Sequence, residues 1–311
     1  MMKTQKERLA AMQRDIKPLD MNGLSGRMLR LKSKNKPDRE ILLVYGHHSS
    51  LERMYGIAEA FTDFGNVTMP DLPGFGAMDS FYKIGMKPTL DNLADYLASF
   101  IKLRYKGKKI SILGMSLGFV VATRMLQRYP DLVNKIEILM SLAGFTHNGD
   151  FKIGKYQKIG YLLVARTFKR RVPSMFYNNV ILHPAMIRLA YAKTPNGRVK
   201  FSALSEEKKN EAMDFEVHLW RSEDTRTYWS TGVQMLELDN CTQQVDIDVH
   251  HLSIESDQYF DKHVVEQHMR IIFKDYHEHT SDMENHSPSI LATKAEAAPL
   301  IPDSVRKLLT N

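Results

Sequence analysis

The chain has 311 residues, of which 43% are hydrophobic and 25% charged, a composition typical of a folded globular protein rather than a disordered or fibrous one. No stretch approaches the roughly 18 uncharged apolar residues that a membrane span needs. Residues 1–19 mix basic and acidic side chains and lack the apolar core of a secretory signal. Cys241 is the single cysteine, which excludes an intramolecular disulfide and argues against cysteine-based metal centres. We therefore expect a cytoplasmic protein.

The formal net charge of +7 is unevenly distributed. Between Asp150 and Lys200 the sequence has 11 Lys or Arg residues against one acid. A basic patch of this kind can bind nucleic acid. Because no recognised nucleic-acid motif with interleaved aromatic side chains accompanies it, we expect no nucleic-acid partner.

The first third of the chain predicts a hairpin followed by buried strands. Asn22-Gly23 lies between short apolar stretches in Met12–Leu31, a pattern typical of an antiparallel hairpin. Ile41–Tyr45 is continuously apolar, as expected for a parallel strand with helices on both faces. A second strand, Val67–Pro70, runs into Asp71–Gly76, where proline and glycines predict a loop.

The next segment alternates between helix and strand. Thr89 can cap a helix in which apolar residues recur at helical spacing. Strand Ile110–Leu113, helix Phe119–Leu126 and strand Ile136–Leu142 follow. Because strand and helix alternate, we predict an α/β fold with a mostly parallel central sheet flanked by helices.

This alternation stops near Gly144 and resumes at the strand Val249–Ile254. The intervening residues look helical and contain both tryptophans, so we interpret them as an inserted helical lid. Residues 1–143 and 241–311 would then form the core, and residues 144–240 the lid. The rest of the core is predicted as a helix at Lys262–Phe273, a short strand at Tyr276–Thr280 and a terminal helix within Pro302–Leu309.

A serine lies where the chain passes from strand to helix, in Gly114-Met115-Ser116-Leu117-Gly118. This arrangement is typical of a nucleophile elbow, a tight turn that projects the serine hydroxyl from the sheet, with glycines relieving the crowding on either side. A serine hydroxyl is a poor nucleophile at neutral pH. It therefore needs a histidine base, which in turn needs a carboxylate to fix its tautomer.

Acid and base are expected after the serine, in that order along the chain. Asp257 follows the strand Val249–Ile254 and is the predicted acid, with Asp150 as an alternative. His286 follows the last short strand and is the predicted base. His277 and His279 compete for that role, but they belong to a polar strand.

With these motifs, the chain resembles the lidded esterase-like and lipase-like members of the α/β-hydrolase superfamily. The resemblance extends over nearly the whole chain. It implies an oxyanion hole formed by the backbone N–H groups of His47 and Leu117. Two positions depart from the family: Tyr45 precedes Gly46 where a histidine is usual, and Asn285 precedes His286 where a glycine is usual.

The resemblance implies no cofactor. His277, His279, Asp282 and His286 lie close in sequence, but their spacing matches no defined metal motif, so we predict no metal site. Basic residues surround the apolar stretch Ile159–Ala165 at the start of the lid. A solvated face is the simpler interpretation; the alternative is a lid that makes weak contact with an anionic membrane surface or guides an anionic substrate into the pocket. The sequence does not determine an oligomeric state.

We therefore predict a serine hydrolase that cleaves a carboxylic ester of a small acyl substrate through Ser116, His286 and Asp257. The same triad would serve an amidase, an aminopeptidase or a hydrolase of C–C bonds beside a ketone. An aminopeptidase would need a buried lid acid to hold the substrate amine, and five residues are candidates: Glu206, Glu207, Glu211, Asp214 and Glu216. A non-catalytic binding protein that retains the fold is the second class, supported by the departures at Tyr45 and Asn285.

Overall fold

A computed structural model describes residues 12–193, 206–281 and 293–310. Its described strands form one eight-stranded sheet in the order β1-β2-β4-β3-β5-β6-β7-β8. β1 and β2 are antiparallel to their neighbours, whereas β4, β3 and β5 to β8 run parallel to one another. The strands are β1 Ile16–Met21, β2 Leu24–Leu31, β3 Glu40–Val44, β4 Asn66–Pro70, β5 Ile110–Met115, β6 Ile136–Leu142, β7 Val249–Ile254 and β8 Tyr276–Ser281.

Helices connect the parallel strands and continue after the last one. α2 packs against α3, and α1 packs against α10. The described helices are α1 Leu51–Phe61, α2 Leu90–Arg104, α3 Leu117–Arg128, α4 Lys155–Phe168, α5 Arg171–Phe176, α6 Pro184–Lys193, α7 Glu206–Ser222, α8 Thr225–Leu236, α9 Lys262–Ile272, α10 Lys294–Ala297 and α11 Asp303–Thr310.

The predicted local structure is confirmed at several points. β1 and β2 form the hairpin, with Asn22 and Gly23 both in the left-handed region at φ 54° and 79°. Every residue of β3 is buried, as predicted for the apolar run that begins at Ile41. The Thr89 side chain accepts a hydrogen bond from the backbone N–H of Asn92 and caps α2. The mostly parallel sheet flanked by helices is therefore as expected.

Helices α4 to α8 lie between β6 and β7 in the chain, and we call this segment the helical insertion. It has a small apolar core of its own, in which Ala165 and Val233 pack with Trp229 between α4 and α8. The division of the chain at residues 144 and 240 stays a prediction. No helix within the described ranges is long and apolar enough to cross a membrane.

The parallel register brings the ends of four strands to one edge of the sheet. Val44 of β3 pairs with Gly114 of β5, and Met115 pairs with Leu142 of β6. Leu142 in turn pairs with Leu252 of β7. The loops that follow these strands therefore meet at the carboxyl edge of the sheet, which is where open α/β sheets place their sites.

Candidate active site

Ser116 occupies a strained turn between β5 and α3. Its φ and ψ are 48° and −117°, a conformation that is costly for a residue with a side chain. A Cβ on Gly114 would lie 2.5 Å from the Cα of Phe119, and one on Gly118 would lie 2.1 Å from the carbonyl oxygen of Val44. Only glycine fits at either position. The surrounding packing thus forces the Ser116 side chain outward, in the geometry that a nucleophile elbow requires.

Two backbone segments border this serine. Leu117 is the first residue of α3, where backbone N–H groups have no acceptor within the helix and the helix dipole favours negative charge. His47 follows Gly46, and a Cβ added to Gly46 would lie 3.1 Å from the Cβ of Ser116. The loop after β3 therefore runs directly beside the serine, with no side chain at Gly46 to separate them.

Asp257 lies in the loop that follows β7, at the same edge of the sheet. Its side chain is buried, and Oδ1 accepts hydrogen bonds from the backbone N–H groups of Tyr259 at 2.7 Å and Phe260 at 3.3 Å. The Lys152 ammonium donates to its backbone carbonyl at 3.0 Å. These contacts fix the loop and hold the carboxylate in one orientation.

The predicted base, His286, lies outside the described residues. The last residue described before it is Ser281, which pairs with Ile254 at the end of β8. His279 is engaged elsewhere: its Nδ1 is 2.8 Å from Ser304 Oγ and its Nε2 is 3.2 Å from His250 Nδ1. The His277 ring is 48% exposed and lies 3.9 Å from Asp248. The structure thus gives both competing histidines other partners, and the assignment of His286 stays a prediction.

Asp150, the alternative acid, is fully buried and has structural partners. Its Oδ2 accepts the backbone N–H groups of Thr146 at 2.8 Å and His147 at 3.0 Å, and its Oδ1 is 2.5 Å from His268 Nδ1. Side-chain atoms of His147, Asp150 and His268 lie within 4.8 Å of one another, as metal ligands could. Both carboxylate oxygens contact groups of the protein: backbone amides at Oδ2 and His268 at Oδ1. The cluster therefore attaches the segment after β6 to α9.

Tyr45, the first departure from the family pattern, is a core residue with no exposed surface. Its hydroxyl donates to Asp71 Oδ1 at 3.0 Å and accepts the backbone N–H of Leu72 at 2.9 Å. Burial and the adjacent Asp71 raise the pKa of Tyr45 well above its ordinary value, so the phenol stays protonated. The tyrosine thus anchors the loop that follows β4.

The helical insertion covers the loop that carries His47, which the sequence pattern did not predict. The His47 ring packs against Tyr228, and its Nε2 lies 3.1 Å from Thr231 Oγ1. Burial lowers the pKa of His47 to about 3, so this ring is neutral. The next residue, His48, has its Nδ1 2.9 Å from Glu223 Oε2. Both histidine side chains therefore contact the insertion.

An apolar cleft borders the strand that carries the serine. Its described lining is formed by apolar side chains from α1, from the ends of β5 to β7 and from the C-terminal helices, including Met115, Leu142 and Ile254. The described lining is entirely apolar and does not include Ser116 itself.

The strand order, the turn at Ser116 and the carboxyl-edge loops define an α/β-hydrolase fold. A family model described as serine aminopeptidase, S33, matches residues 35–245. The chain belongs to this family of the α/β-hydrolase superfamily. A search of curated protein sequences finds no significant match.

Solved structures share the fold at low sequence identity. An enol-lactonase from Burkholderia xenovorans LB400 is 14% identical over 95% of this chain and 100% of its own, with a TM-score of 0.63. An esterase from Exiguobacterium antarcticum is 13% identical over 93% and 94%, with a TM-score of 0.62. A deformylase from Pseudomonas putida S16 is 14% identical over 91% and 98%, with a TM-score of 0.58. The chain is thus an α/β hydrolase, and membership of this family indicates a small-molecule substrate.

Proposed function

We propose that the protein is a serine hydrolase that cleaves a carboxylic ester. Ser116 Oγ attacks the carbonyl carbon while His286 takes its proton, and Asp257 orients the histidine. His286 then gives the proton to the departing alkoxide oxygen, which leaves an acyl-enzyme. Water attacks the acyl carbon, passes a proton to His286 and releases the acid, and Ser116 recovers its proton. No cofactor takes part.

The observation that carries this proposal is the strained Ser116 turn, which has the first turn of α3 on one side and the loop after β3 on the other. Backbone strain of this kind costs about 1–3 kcal/mol, and folded proteins keep it mainly at functional sites. The N–H groups of His47 and Leu117 would stabilise the negative charge that develops on the carbonyl oxygen. Each such donor contributes about 3 kcal/mol to lowering the barrier.

The ion pairs of two acids of the insertion favour an ester over an aminopeptidase substrate. Glu216, one of the five candidates for binding an amine, instead pairs with the Arg53 guanidinium and accepts a hydrogen bond from the Tyr191 hydroxyl at 2.6 Å. Asp214 is exposed and pairs with Arg188. Since cations of the protein already neutralise these carboxylates, they are poor partners for a substrate ammonium.

Labelling with a fluorophosphonate probe tests the proposal. We expect the wild type to label covalently, and Ser116→Ala and His286→Ala to lose labelling while unfolding at unchanged temperature. Ser99→Ala, which changes a serine on α2, is the matched control and should label normally. A wild type that never labels would instead support a non-catalytic binding protein. A parallel screen with acyl esters, aminoacyl amides and diketones separates the ester from the amide and C–C alternatives.

We also propose that the insertion acts as a lid that makes weak contact with anionic lipid. Its α4 and α5 expose large apolar side chains beside basic residues whose charge complements an anionic surface. The apolar group, each member at least half exposed, comprises Tyr156, Leu163, Val172, Met175 and Phe176. The exposed basic group comprises Lys155, Arg170 and Arg171.

Vesicle sedimentation tests this contact. We expect the protein to sediment with vesicles that contain phosphatidylserine and to be released from them by about 0.5 M salt. It should not sediment with vesicles of pure phosphatidylcholine. The double variant Val172→Ser/Phe176→Ser should bind less. The control is Leu103→Ser, which removes a 60% exposed apolar side chain from α2, outside the insertion. Equal binding of all three proteins, or none by the wild type, would refute the lipid contact.

We further propose a cytoplasmic location, as the single cysteine suggests. Fractionation of cells that express the protein should recover it in the cytosolic fraction, with at most a salt-sensitive part on membranes. Recovery mainly outside the cytosol would contradict this location.

A further inference from the structure

Four charged side chains meet where the insertion covers the loop after β3. His48 and Arg53 come from the core, and Glu216 and Glu223 come from the insertion. His48 Nδ1 is 2.9 Å from Glu223 Oε2, and its Nε2 is 3.7 Å from Glu216 Oε2, an ion-pair contact rather than a hydrogen bond. The Arg53 guanidinium pairs with the other oxygen of Glu216. We call these four residues the charge clasp.

The charge clasp is buried, so its contacts are strong and its loss is costly. The side chains of Glu216 and Glu223 are 0% and 2% exposed, that of Arg53 is 4% exposed and that of His48 is 16% exposed. Water screens such charges little, and a buried charge without its partner is strongly unfavourable. The four groups balance one another as two cations and two anions when His48 is protonated.

The clasp acts directly on the backbone beside the serine. His48 has φ 54°, in the left-handed region, which few residues other than glycine adopt. Arg53 Nη1 donates to the backbone carbonyl of His48 at 3.0 Å. The His48 ring also packs against Trp220 of the insertion, with centroids 4.0 Å apart and the ring planes tilted by 40°. The peptide before His48 carries the carbonyl of His47, and the N–H of His47 belongs to the Gly46–His47 peptide one residue further back. Because the insertion also holds the His47 ring through Tyr228 and Thr231, both residues, and with them the N–H of His47, are fixed in position.

We propose that Glu223 and Glu216 are positioning residues, which hold the loop so that the His47 N–H faces the carbonyl oxygen of a substrate on Ser116. This proposal rests on the proposed hydrolase function, since it assigns the insertion a role in forming the oxyanion hole. Under this proposal, the oxyanion hole is complete only while the insertion is packed against the loop after β3. Displacement of the insertion would break the contacts of both glutamates to His48 and leave the loop after β3 free to change its conformation.

The charge on His48 makes the clasp dependent on pH. Burial alone lowers the pKa of His48, but the carboxylates of Glu223 and Glu216 outweigh burial and the repulsion from Arg53, so its pKa is raised. Two other titratable rings border it: His47, which is neutral, and Tyr228 of the insertion, whose pKa burial raises well above its ordinary value. The clasp is therefore complete at low pH and weakens as the pH rises through the raised pKa of His48.

Glu223→Gln is the test variant, because it removes the charge and keeps the shape. Glu237→Gln is the matched control: Glu237 also lies in the insertion, but it pairs with Arg166 on the surface. Hydrogen–deuterium exchange of the peptide that contains residues 46–50 reports the loop directly, without any need for activity. We expect exchange there to be at least about tenfold faster in Glu223→Gln, and unchanged in Glu237→Gln.

Kinetics with an ester substrate then connect the loop to catalysis. We expect kcat to fall at least about tenfold in Glu223→Gln with KM little changed, because the oxyanion contact is made in the transition state. The alkaline limb of the kcat profile should shift to lower pH, because the neutral amide of this variant cannot stabilise the charge on His48. A merely structural role would change the unfolding temperature without moving this limb.

The outcomes are distinguishable. Unchanged exchange in Glu223→Gln overturns the clasp, whatever the activity. Faster exchange with unchanged kcat and pH profile overturns its role in the oxyanion hole. If the wild type neither labels nor hydrolyses esters, the hydrolase function fails and the oxyanion role fails with it. The exchange result still decides whether the two glutamates hold the loop.

Discussion

Tyr45 and Ser116 directly follow the adjacent strands β3 and β5, but their side chains lie in different environments. Ser116 keeps its hydroxyl away from the core because glycines on either side allow the turn to close. Tyr45 turns its hydroxyl into the core, where it joins Asp71 to the backbone of Leu72. The change from the usual histidine therefore concerns loop anchoring, so it does not argue for a non-catalytic protein.

Tyr45→Phe tests this role. Removing the hydroxyl leaves the buried Leu72 N–H without its acceptor and Asp71 without one donor, so we expect the free energy of unfolding to fall by about 1–3 kcal/mol. Fluorophosphonate labelling of Ser116 should persist, since the phenol takes no part in the reaction. Tyr156→Phe is the control, because that ring is 87% exposed and its loss of a hydroxyl should cost nothing measurable. Loss of labelling in well-folded Tyr45→Phe would place the phenol in the site instead.

At the scale of elements, the site depends on how closely α3 approaches β3. The first turn of α3 packs on the backbone of Val44 and Tyr45 with only the hydrogen atoms of Gly118 between them. This close approach brings the Leu117 N–H and the loop after β3 to the same serine. The insertion packs on that loop from the other side, through Tyr228 and Glu223.

Gly118→Ala tests the close approach of α3. Its Cβ would lie 2.1 Å from Val44 O and 2.6 Å from Tyr45 O, both backbone atoms that cannot move alone. We expect a loss of about 3 kcal/mol or more in denaturant unfolding, together with loss of labelling. Gly160→Ala is the contrasting variant: in α4 a Cβ there meets nothing within 4 Å. It should stabilise the protein by up to about 1 kcal/mol, since alanine is the better helix former. Equal effects of the two variants would contradict this packing.

For the whole molecule, buried histidines link stability to pH. Burial lowers the pKa of His251 to about 4, and its Nδ1 lies 2.9 Å from Ser141 Oγ in the core. Burial also lowers the pKa of His250 to about 4, with repulsion from His277 and His279 adding to the effect. A histidine with a lowered folded-state pKa contributes stability at pH above 6.5, and this contribution is lost as the pH falls towards its folded-state value.

We therefore expect the free energy of unfolding to decline between about pH 6.5 and 4. His251 alone accounts for about 3 kcal/mol of this decline, because its pKa falls from 6.5 in the unfolded chain to about 4 in the folded protein. His251→Asn should flatten the dependence, whereas His263→Asn, which changes an exposed histidine on α9, should leave it intact. Urea unfolding at a series of pH values gives the comparison. Parallel curves for wild type and His251→Asn would show that this histidine does not contribute.

Local pattern determined the order of the elements and the turn at Ser116. Both follow from interactions between residues close in sequence: periodic apolar side chains select strand or helix, and glycines at positions 114 and 118 permit the turn. The parallel register then made the carboxyl edge, and with it the position of Asp257, predictable. His286 lies outside the described residues and remains a prediction from chain order and resemblance.

Only the tertiary structure decided what the polar side chains contact. Tyr45 meets Asp71, Asp150 meets His268, and His48 meets Glu223 across 175 positions of the chain. No local periodicity encodes such pairs, because each depends on how the helical insertion and distant loops fold back on the sheet. The sequence by itself thus determined the class of fold and the candidate nucleophile. Packing between distant segments decided the buried charge pairs around it, where burial makes every unmatched charge costly.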